Sequence, residues 1–133
     1  FQRICASCHE LFDEGEKVGP DLTYANRKDK DFLLTSIVDP NAVIRKEFIN
    51  YTVETRDGRV LNGLMAAQSP NTVTIVAAKN ERTTLNREMI GSVQESSLSL
   101  MPEGLMHGLT PEERRDLFAY LQSEKPLALH PTR

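Results

Sequence analysis

The chain has 133 residues and a net charge of −3, and 39% of its residues are hydrophobic. This length fits one domain, or one domain with a small inserted module. The charge gives no electrostatic reason to expect binding to nucleic acid or to an anionic membrane, and no apolar run is long enough to span a bilayer. The sequence starts at Phe1 and has no signal-peptide pattern, so we interpret it as a processed chain or an excised domain.

Two helices, and a further short one after Pro40, are predicted in the first third of the chain. In residues 1–11, apolar side chains and both cysteines recur at helical spacing. Residues 30–38 carry a second apolar stripe, which Asp39 and Pro40 end before a further short helix. A loop that is rich in glycine and charge separates the two helices and finishes with the sequence Gly19-Pro20-Asp21-Leu22.

The pattern changes to alternation near residue 50, which predicts a β meander inside an otherwise helical chain. Asp57-Gly58 is a strong hairpin signal between the first two strands. Five strands are predicted, at residues 51–55, 60–65, 72–78, 82–85 and 90–94. The inward-facing side chains of this segment are expected to be Val53, Leu61, Val73, Ile75 and Leu85.

The last third returns to loop and helix. Residues 96–109 are predicted to be a loop. Thr110 and Glu113 form a capping box with Pro111 at the first helical position, which predicts a helix that runs to about Ser123. Residues 125–133 contain two prolines and no periodicity, which favours a tail or linker.

The motif Cys5-Ala6-Ser7-Cys8-His9 is the attachment sequence of a c-type haem. One helical turn places two thiols where they can form thioethers with the two haem vinyl groups, and the imidazole that follows reaches the iron. The competing interpretations are a thioredoxin-type dithiol, half of a zinc site and a structural disulfide. A zinc site needs about four ligands, and a thioredoxin motif needs a βαβ context. We therefore predict one covalently bound haem c.

A mono-haem protein of this kind needs a sixth iron ligand. The candidates are Met65, Met89, Met101, Met106, His107 and His130. A methionine in the β segment is usually core, and His130 lies in the loose tail. Met101 is preferred because Pro102 stiffens its backbone, and thioether ligation raises the reduction potential. Met106 is the next choice and His107 follows; a role for Met101 in packing alone remains open.

Several motifs occur here in the order found in class I cytochromes c, which the chain resembles. They are Cys5 to His9, Gly19-Pro20-Asp21-Leu22, Ser99-Leu100-Met101-Pro102 and Asp116-Leu117-Phe118-Ala119-Tyr120-Leu121. More narrowly, the chain resembles the haem-binding domain of large secreted proteins of Planctomycetes, Verrucomicrobia and related bacteria. That second resemblance depends on the sequences Ile37-Val38-Asp39-Pro40-Asn41, Asp57-Gly58-Arg59 and Ser99-Leu100-Met101-Pro102-Glu103-Gly104-Leu105.

The resemblance implies a role for each matching residue. Cys5 and Cys8 bind the haem, His9 is the proximal ligand and Met101 is the distal ligand. The carbonyl of Pro20 accepts the second imidazole N–H of His9. Phe1 packs against Tyr120 or Leu117, where the first and last helices cross. Arg45 and Asn41 are candidate partners of the haem propionates.

The expected fold class is α+β, with a cytochrome c-like helical core over residues 1–124. A small antiparallel β-barrel of the Sm or SH3 type is inserted at residues 50–95, before the methionine loop, and residues 125–133 are a tail or linker. Sm proteins bind RNA, but basic and acidic residues balance in this insert, so no nucleic acid is expected. The insert is interpreted as a haem cover or a docking surface.

The expected function is electron transfer between a dehydrogenase and a respiratory acceptor. The chain is then an electron-carrier domain and not itself an enzyme. Its expected partners are redox proteins, or a dehydrogenase-type domain of the same polypeptide. Haem c attachment takes place outside the cytoplasm, so a periplasmic or other extracytoplasmic location is expected. The alternatives are a gas or redox sensor in which Met101 leaves the iron, and a peroxidase-like enzyme.

Overall fold

The structure is a computed structural model that describes residues 1–126. In chain order its strands and α-helices are β1 Glu10–Leu11, β2 Glu14–Gly15, α1 Lys30–Val38, β3 Asn50–Thr55, β4 Val60–Gln68, β5 Thr72–Ala77, β6 Glu81–Asn86, β7 Ile90–Glu95 and α2 Pro111–Leu121. Short 3-10 turns precede or join some of them, at Leu22–Tyr24, Lys46–Phe48, Ala78–Asn80 and Arg87–Met89. The described part of the chain is mostly β, with the two α-helices on either side of the sheet in sequence.

Strands β3 to β7 form one antiparallel sheet in the order β6-β5-β4-β3-β7. The five predicted strands are confirmed, with ends that differ from the prediction by no more than a few residues. The last strand of the sheet, β7, pairs with its first strand, β3, and the backbone N–H of Ser96 donates to the carbonyl of Asn50 at 2.8 Å. The chain therefore enters and leaves the sheet at one point, as an inserted module requires.

The sheet buries side chains on two sides. Val53, Val73, Ile75 and Leu85 form its own core, with Leu61 partly buried against them, as the alternation predicts. Leu64 and Val76 are not part of this core and pack with Val18 in a separate cluster. We call Val18, Leu64 and Val76, with the partly buried Cys8, Phe48 and Leu100, the junction cluster. The expectation of one buried face was therefore incomplete, because the second apolar set joins the sheet to both ends of the chain.

A separate helical core holds the two ends of the chain together. Its buried members are Leu11, Leu33, Leu117 and Leu121. The rings of Phe1 and Tyr120 pack on it with their centroids 5.5 Å apart, which confirms the predicted contact between the first segment and the last helix. The capping box is also present, since Thr110 Oγ1 accepts from Glu113 N at 3.1 Å and Glu113 Oε2 accepts from Thr110 N at 2.8 Å.

The predicted helix over residues 1–11 was wrong, and with it one element of the expected cytochrome-like helical core. Residues 2–8 form consecutive turns, and β1 and β2 then form a small hairpin through Phe12 and Asp13, both at positive φ as in a type I′ turn. The physical reason lies in the backbone acceptors. The carbonyls of Ala6 and Cys8 accept hydrogen bonds from the amides of the following loop, so they do not continue a helix.

The short helix expected after Pro40 is also absent. Residues 40–42 form a turn and residues 43–45 have no regular structure, and Val43 is exposed to solvent. Helix α1 itself is confirmed at the predicted bounds, with the Asp29 side chain accepting from Phe32 N at 3.0 Å as its N-cap.

Gly63 in β4 provides a test of how tightly the sheet is packed. A Cβ atom at this buried position would overlap Ile75 Cγ2 and lie 2.6 Å from the Val76 carbonyl oxygen. We expect Gly63→Ala to lower the free energy of unfolding by about 1–3 kcal/mol, the usual cost of overpacking. Urea denaturation measures this. Gly108→Ala is the matched control, because a Cβ there meets no atom within 4 Å, and equal stability of the two variants would contradict the packing argument.

Candidate functional site

The two cysteines and His9 lie on a tight series of turns at the start of the chain. Cys5 N donates to the Phe1 carbonyl at 2.8 Å, and His9 N donates to the Cys5 carbonyl at 2.9 Å. Both cysteines are free, partly buried thiols. Cys5 packs on the helical core and Cys8 packs on the junction cluster, so the cysteine turn lies between these two clusters.

The following loop folds back over this turn and is bonded to it through main-chain atoms. Glu16 N donates to the Ala6 carbonyl at 2.9 Å. Val18 N and Gly19 N both donate to the Cys8 carbonyl, at 3.1 and 2.6 Å. These hydrogen bonds hold residues 16–19 against the turn and bring the next residue, Pro20, to the imidazole of His9.

His9 Nδ1 lies 2.8 Å from the carbonyl oxygen of Pro20, which is the hydrogen bond that the resemblance implied. A carbonyl only accepts, so Nδ1 carries the proton, and the lone pair of the neutral ring resides on Nε2. Burial lowers the pKa of His9 below its ordinary value of 6.5, and the hydrogen bond to Pro20 opposes that shift. The ring is therefore neutral near pH 7 and presents Nε2 as a ligand atom.

Gly19 lies flat against the same ring. A Cβ atom at position 19 would lie 2.7 Å from His9 Cε1 and 3.0 Å from Nδ1. The sequence indicated a turn at Gly19-Pro20, and the structure adds that the glycine is needed because the imidazole occupies the space of a side chain.

The Cys5 thiol does not have the property of a reactive redox cysteine. Burial raises the pKa of the Cys5 thiol above its ordinary value of 9.0, and the positive chain terminus opposes that shift. A thioredoxin-type cysteine has a lowered pKa and a reactive thiolate. Within residues 1–126 there is also no group of three or more His, Cys, Asp and Glu side chains that could hold a metal ion. The zinc interpretation therefore has no support in this region.

Met101 lies in a loop that reaches the same region from the other end of the sequence. Its neighbour Leu100 packs on the junction cluster together with Cys8. The Met101 N–H donates to Ser99 Oγ at 3.1 Å, and Asn41 bonds to Ser99 and to Glu103 on either side of it. These hydrogen bonds restrain the loop, and Leu100 brings it to the junction cluster that Cys8 also contacts.

The other candidate ligands have different surroundings. Met65 packs on the sheet core, as expected for a methionine in a strand, and Met89 is exposed. Met106 and His107 line a cavity of about 160 Å³ beside Ile37 and Val38 at the end of α1. His130 lies outside the described residues.

Arg45 and Asn41, the two residues proposed to bind the haem propionates, both contact other residues of the chain. The guanidinium of Arg45 lies 5.1 Å from the centre of the Phe48 ring. The Asn41 side chain is engaged by the methionine loop. The sequence analysis did not predict that Asn41 binds the methionine loop, because no local pattern signals a contact between residues so far apart in the sequence.

The inserted sheet contacts the cysteine turn directly. Lys79 N, in the turn between β5 and β6, donates to the Ser7 carbonyl at 2.6 Å. Leu64 of β4 and Val76 of β5 pack in the junction cluster with Cys8. The insert is therefore docked on the cysteine turn and is not a free lobe.

No protein-family model matches the chain, and no curated protein matches it. Among solved structures, a crystal structure of the pleiotropic translational regulator Hfq is similar, with 14% sequence identity and a TM-score of 0.34. The match covers 54% of this chain and 97% of that chain. A similarity this distant carries no statement about family or function. In residues 1–126, no helix combines the length and apolar character that a membrane crossing needs.

The contact between Gly19 and the His9 ring yields a second test. We expect Gly19→Ala to push the imidazole away from the Pro20 carbonyl, since the new Cβ would lie 2.7 Å from His9 Cε1. The Nδ1 proton then exchanges with solvent at least about tenfold faster, as the loss of one hydrogen bond of about 1.4 kcal/mol implies. NMR of the ring nitrogen measures the exchange. Unchanged exchange, with Gly108→Ala as reference, would refute the close packing.

Proposed function

We propose that this chain is a mono-haem c-type cytochrome domain that transfers single electrons. Cys5 and Cys8 form thioethers to the haem, His9 binds the iron through Nε2 and Met101 is the sixth ligand. The observation that carries the proposal is the hydrogen bond of 2.8 Å from His9 Nδ1 to the Pro20 carbonyl, directly after a Cys-x-x-Cys turn. A haem iron with these ligands supplies a one-electron couple at raised potential.

The residues of the turn fit this group. A metal-binding histidine ordinarily donates its second ring N–H to a carbonyl or carboxylate, which fixes the tautomer and makes the ligand nitrogen more basic. His9 has this arrangement, with Pro20 as the acceptor. The two free thiols lie on the same turn, within four residues of the imidazole. The main-chain hydrogen bonds of the loop hold the ring independently of any side-chain partner.

Helix α1 offers the apolar surface that a porphyrin requires. Leu33 is the buried residue of this helix. Leu34 and Val38 are four residues apart, so they are neighbours on one side of the helix, and they are 41% and 55% exposed. Exposed apolar side chains that lie next to each other are typical of a contact with an apolar group. This pair supports a cofactor at the C-terminal side of α1, near the loop that carries Met101.

Met101 is the sixth ligand that the contacts favour. Leu100 and Cys8 share the junction cluster, so the methionine loop and the attachment turn meet on one side of the sheet. Met65 is used in the sheet core and Met89 faces solvent. Thioether sulfur is neutral and soft, and it stabilises the ferrous state relative to the ferric state.

The inserted module, which we propose to be a small barrel of the Sm or SH3 type, acts as a wall of the haem site. Its contact with the Ser7 carbonyl and its side chains beside Cys8 support this role. Excluding water on this side disfavours the additional charge of ferric haem and so keeps the potential high. We propose that the domain acts outside the cytoplasmic membrane, as an electron carrier and not as an enzyme. It would connect a dehydrogenase-type protein or domain to a respiratory acceptor.

The covalent attachment is testable by extraction. After maturation, we expect one haem per chain to survive acid–acetone treatment, because two thioethers hold it. Cys5→Ala/Cys8→Ala removes both thioethers and loses all haem in the same treatment. Ser7→Ala is the control, since it keeps both thiols and the carbonyl that binds Lys79. Haem retained by the double variant after extraction would overturn the proposal.

The sixth ligand is testable by spectroscopy. The ferric domain is expected to show the weak near-infrared charge-transfer band of sulfur–iron ligation. Met101→Ala abolishes this band and lowers the reduction potential by on the order of 0.1 V, within the ~0.8 V range that axial ligands control. Met106→Ala, which alters the loop beside the small cavity, leaves both unchanged. Loss of the band in the Met106 variant alone would reassign the ligand.

A further inference from the structure

Asn41 spans the two sides of Met101. Its Oδ1 accepts from the backbone N–H of Ser99 at 2.7 Å, and its Nδ2 donates to Glu103 Oε1 at 2.8 Å. Ser99 and Glu103 each lie two residues from Met101, one before it and one after it. We call these two hydrogen bonds the Asn41 bridge.

The bridge reaches the methionine through Ser99. The Met101 N–H donates to Ser99 Oγ at 3.1 Å, so the backbone of Met101 is bonded to the residue that Asn41 holds. Pro102 follows directly and has a fixed φ and no N–H. The segment from Ser99 to Glu103 is therefore restrained at both ends and in the middle.

The chemistry of the bridge requires a carboxamide. The Ser99 N–H needs a hydrogen-bond acceptor and the Glu103 carboxylate needs a donor. A carboxamide supplies both, and these two neighbours determine which of its atoms is the oxygen and which the nitrogen. An aspartate would keep the first arm and repel Glu103. Asn41 follows α1, whose Leu33 packs in the helical core that also contacts Cys5. The bridge therefore connects the scaffold of the attachment turn to the methionine loop.

We propose that Asn41 is the positioning residue that keeps Met101 on the iron, an inference that rests on the proposed His9 and Met101 ligation. A restrained loop loses little conformational entropy when its sulfur binds the metal. Without the bridge, the loop samples more conformations whenever Met101 leaves, and recapture of the iron becomes less favourable. Asn41 thus decides how readily an external ligand replaces the methionine.

The test is a titration of the ferric holoprotein with imidazole, followed in the visible spectrum. Imidazole binds only after Met101 leaves, so its apparent affinity reports the stability of the sulfur–iron bond. We expect Met101→Ala to bind imidazole most tightly. Asn41→Ala is expected to bind it about tenfold more tightly than the unmodified domain, a change of about 1.4 kcal/mol. The near-infrared sulfur–iron band weakens in the same variant.

Further variants separate positioning from general stability. Glu103→Ala removes one arm and is expected to give an intermediate affinity. Glu103→Gln keeps an oxygen acceptor for Asn41 Nδ2 and is expected to bind imidazole as weakly as the unmodified domain, and clearly more weakly than Glu103→Ala. Asn62→Ala is the matched control. It removes another side-chain amide with a hydrogen bond, an exposed one in the sheet whose oxygen accepts from Thr52 Oγ1 at 2.8 Å.

The outcomes distinguish this inference from the function on which it rests. If Met101→Ala binds imidazole no better than the unmodified domain, Met101 is not the ligand, and the proposed ligation fails first. If Met101→Ala binds tightly but Asn41→Ala and Glu103→Ala do not, the ligation stands and the Asn41 inference is wrong. Should Asn41→Ala give no holoprotein, Asn41→Asp and Glu103→Ala decide by the same criterion. Equal affinities of Glu103→Gln and Glu103→Ala would also overturn it.

Discussion

The main-chain hydrogen bonds between the cysteine turn and the following loop determine the geometry of the rest of the site. The carbonyls of Ala6 and Cys8 accept the amides of residues 16, 18 and 19, and this places Pro20 at the imidazole of His9. Because these contacts are between backbone atoms, the ring orientation does not depend on a mobile side-chain partner. The same bonds end any helix in the first segment, so the orientation of the His9 ring and the local fold have one cause.

The junction cluster extends this arrangement to the sheet and to the methionine loop. Cys8, Leu64 and Leu100 come from the cysteine turn, the inserted module and the methionine loop, and they meet in the junction cluster. Hydrogen bonds hold the same segments: Lys79 N joins the module to the Ser7 carbonyl of the cysteine turn, and Asn41 holds the methionine loop. Non-directional burial brings the segments together, and the hydrogen bonds then set their register.

The parts of the fold that could be predicted from sequence are those with a local physical signal. Alternation and the Asp57-Gly58 turn gave the strands, and Thr110 with Glu113 gave the start of α2. The first segment was assigned wrongly because its apolar spacing is helical, while Phe12 and Asp13 adopt positive φ without a glycine to signal it. The His9 contact with Pro20 came from the resemblance. The Asn41 bridge could not be predicted from the sequence, since Ser99 and Glu103 are 58 and 62 residues from Asn41.

That long separation also bears on the order in which the chain folds. Closing a flexible loop of 58 residues to form the Ser99 contact is entropically costly. Once the sheet has formed, the hydrogen bond between Asn50 and Ser96 holds its two ends together, and only residues 42–49 and 97–98 separate Asn41 and Ser99 from the sheet. The loop-closure cost then falls by on the order of 1 kcal/mol. The folded module thus shortens the effective loop between Asn41 and Ser99. The methionine loop is therefore expected to dock after the sheet has formed and not before it.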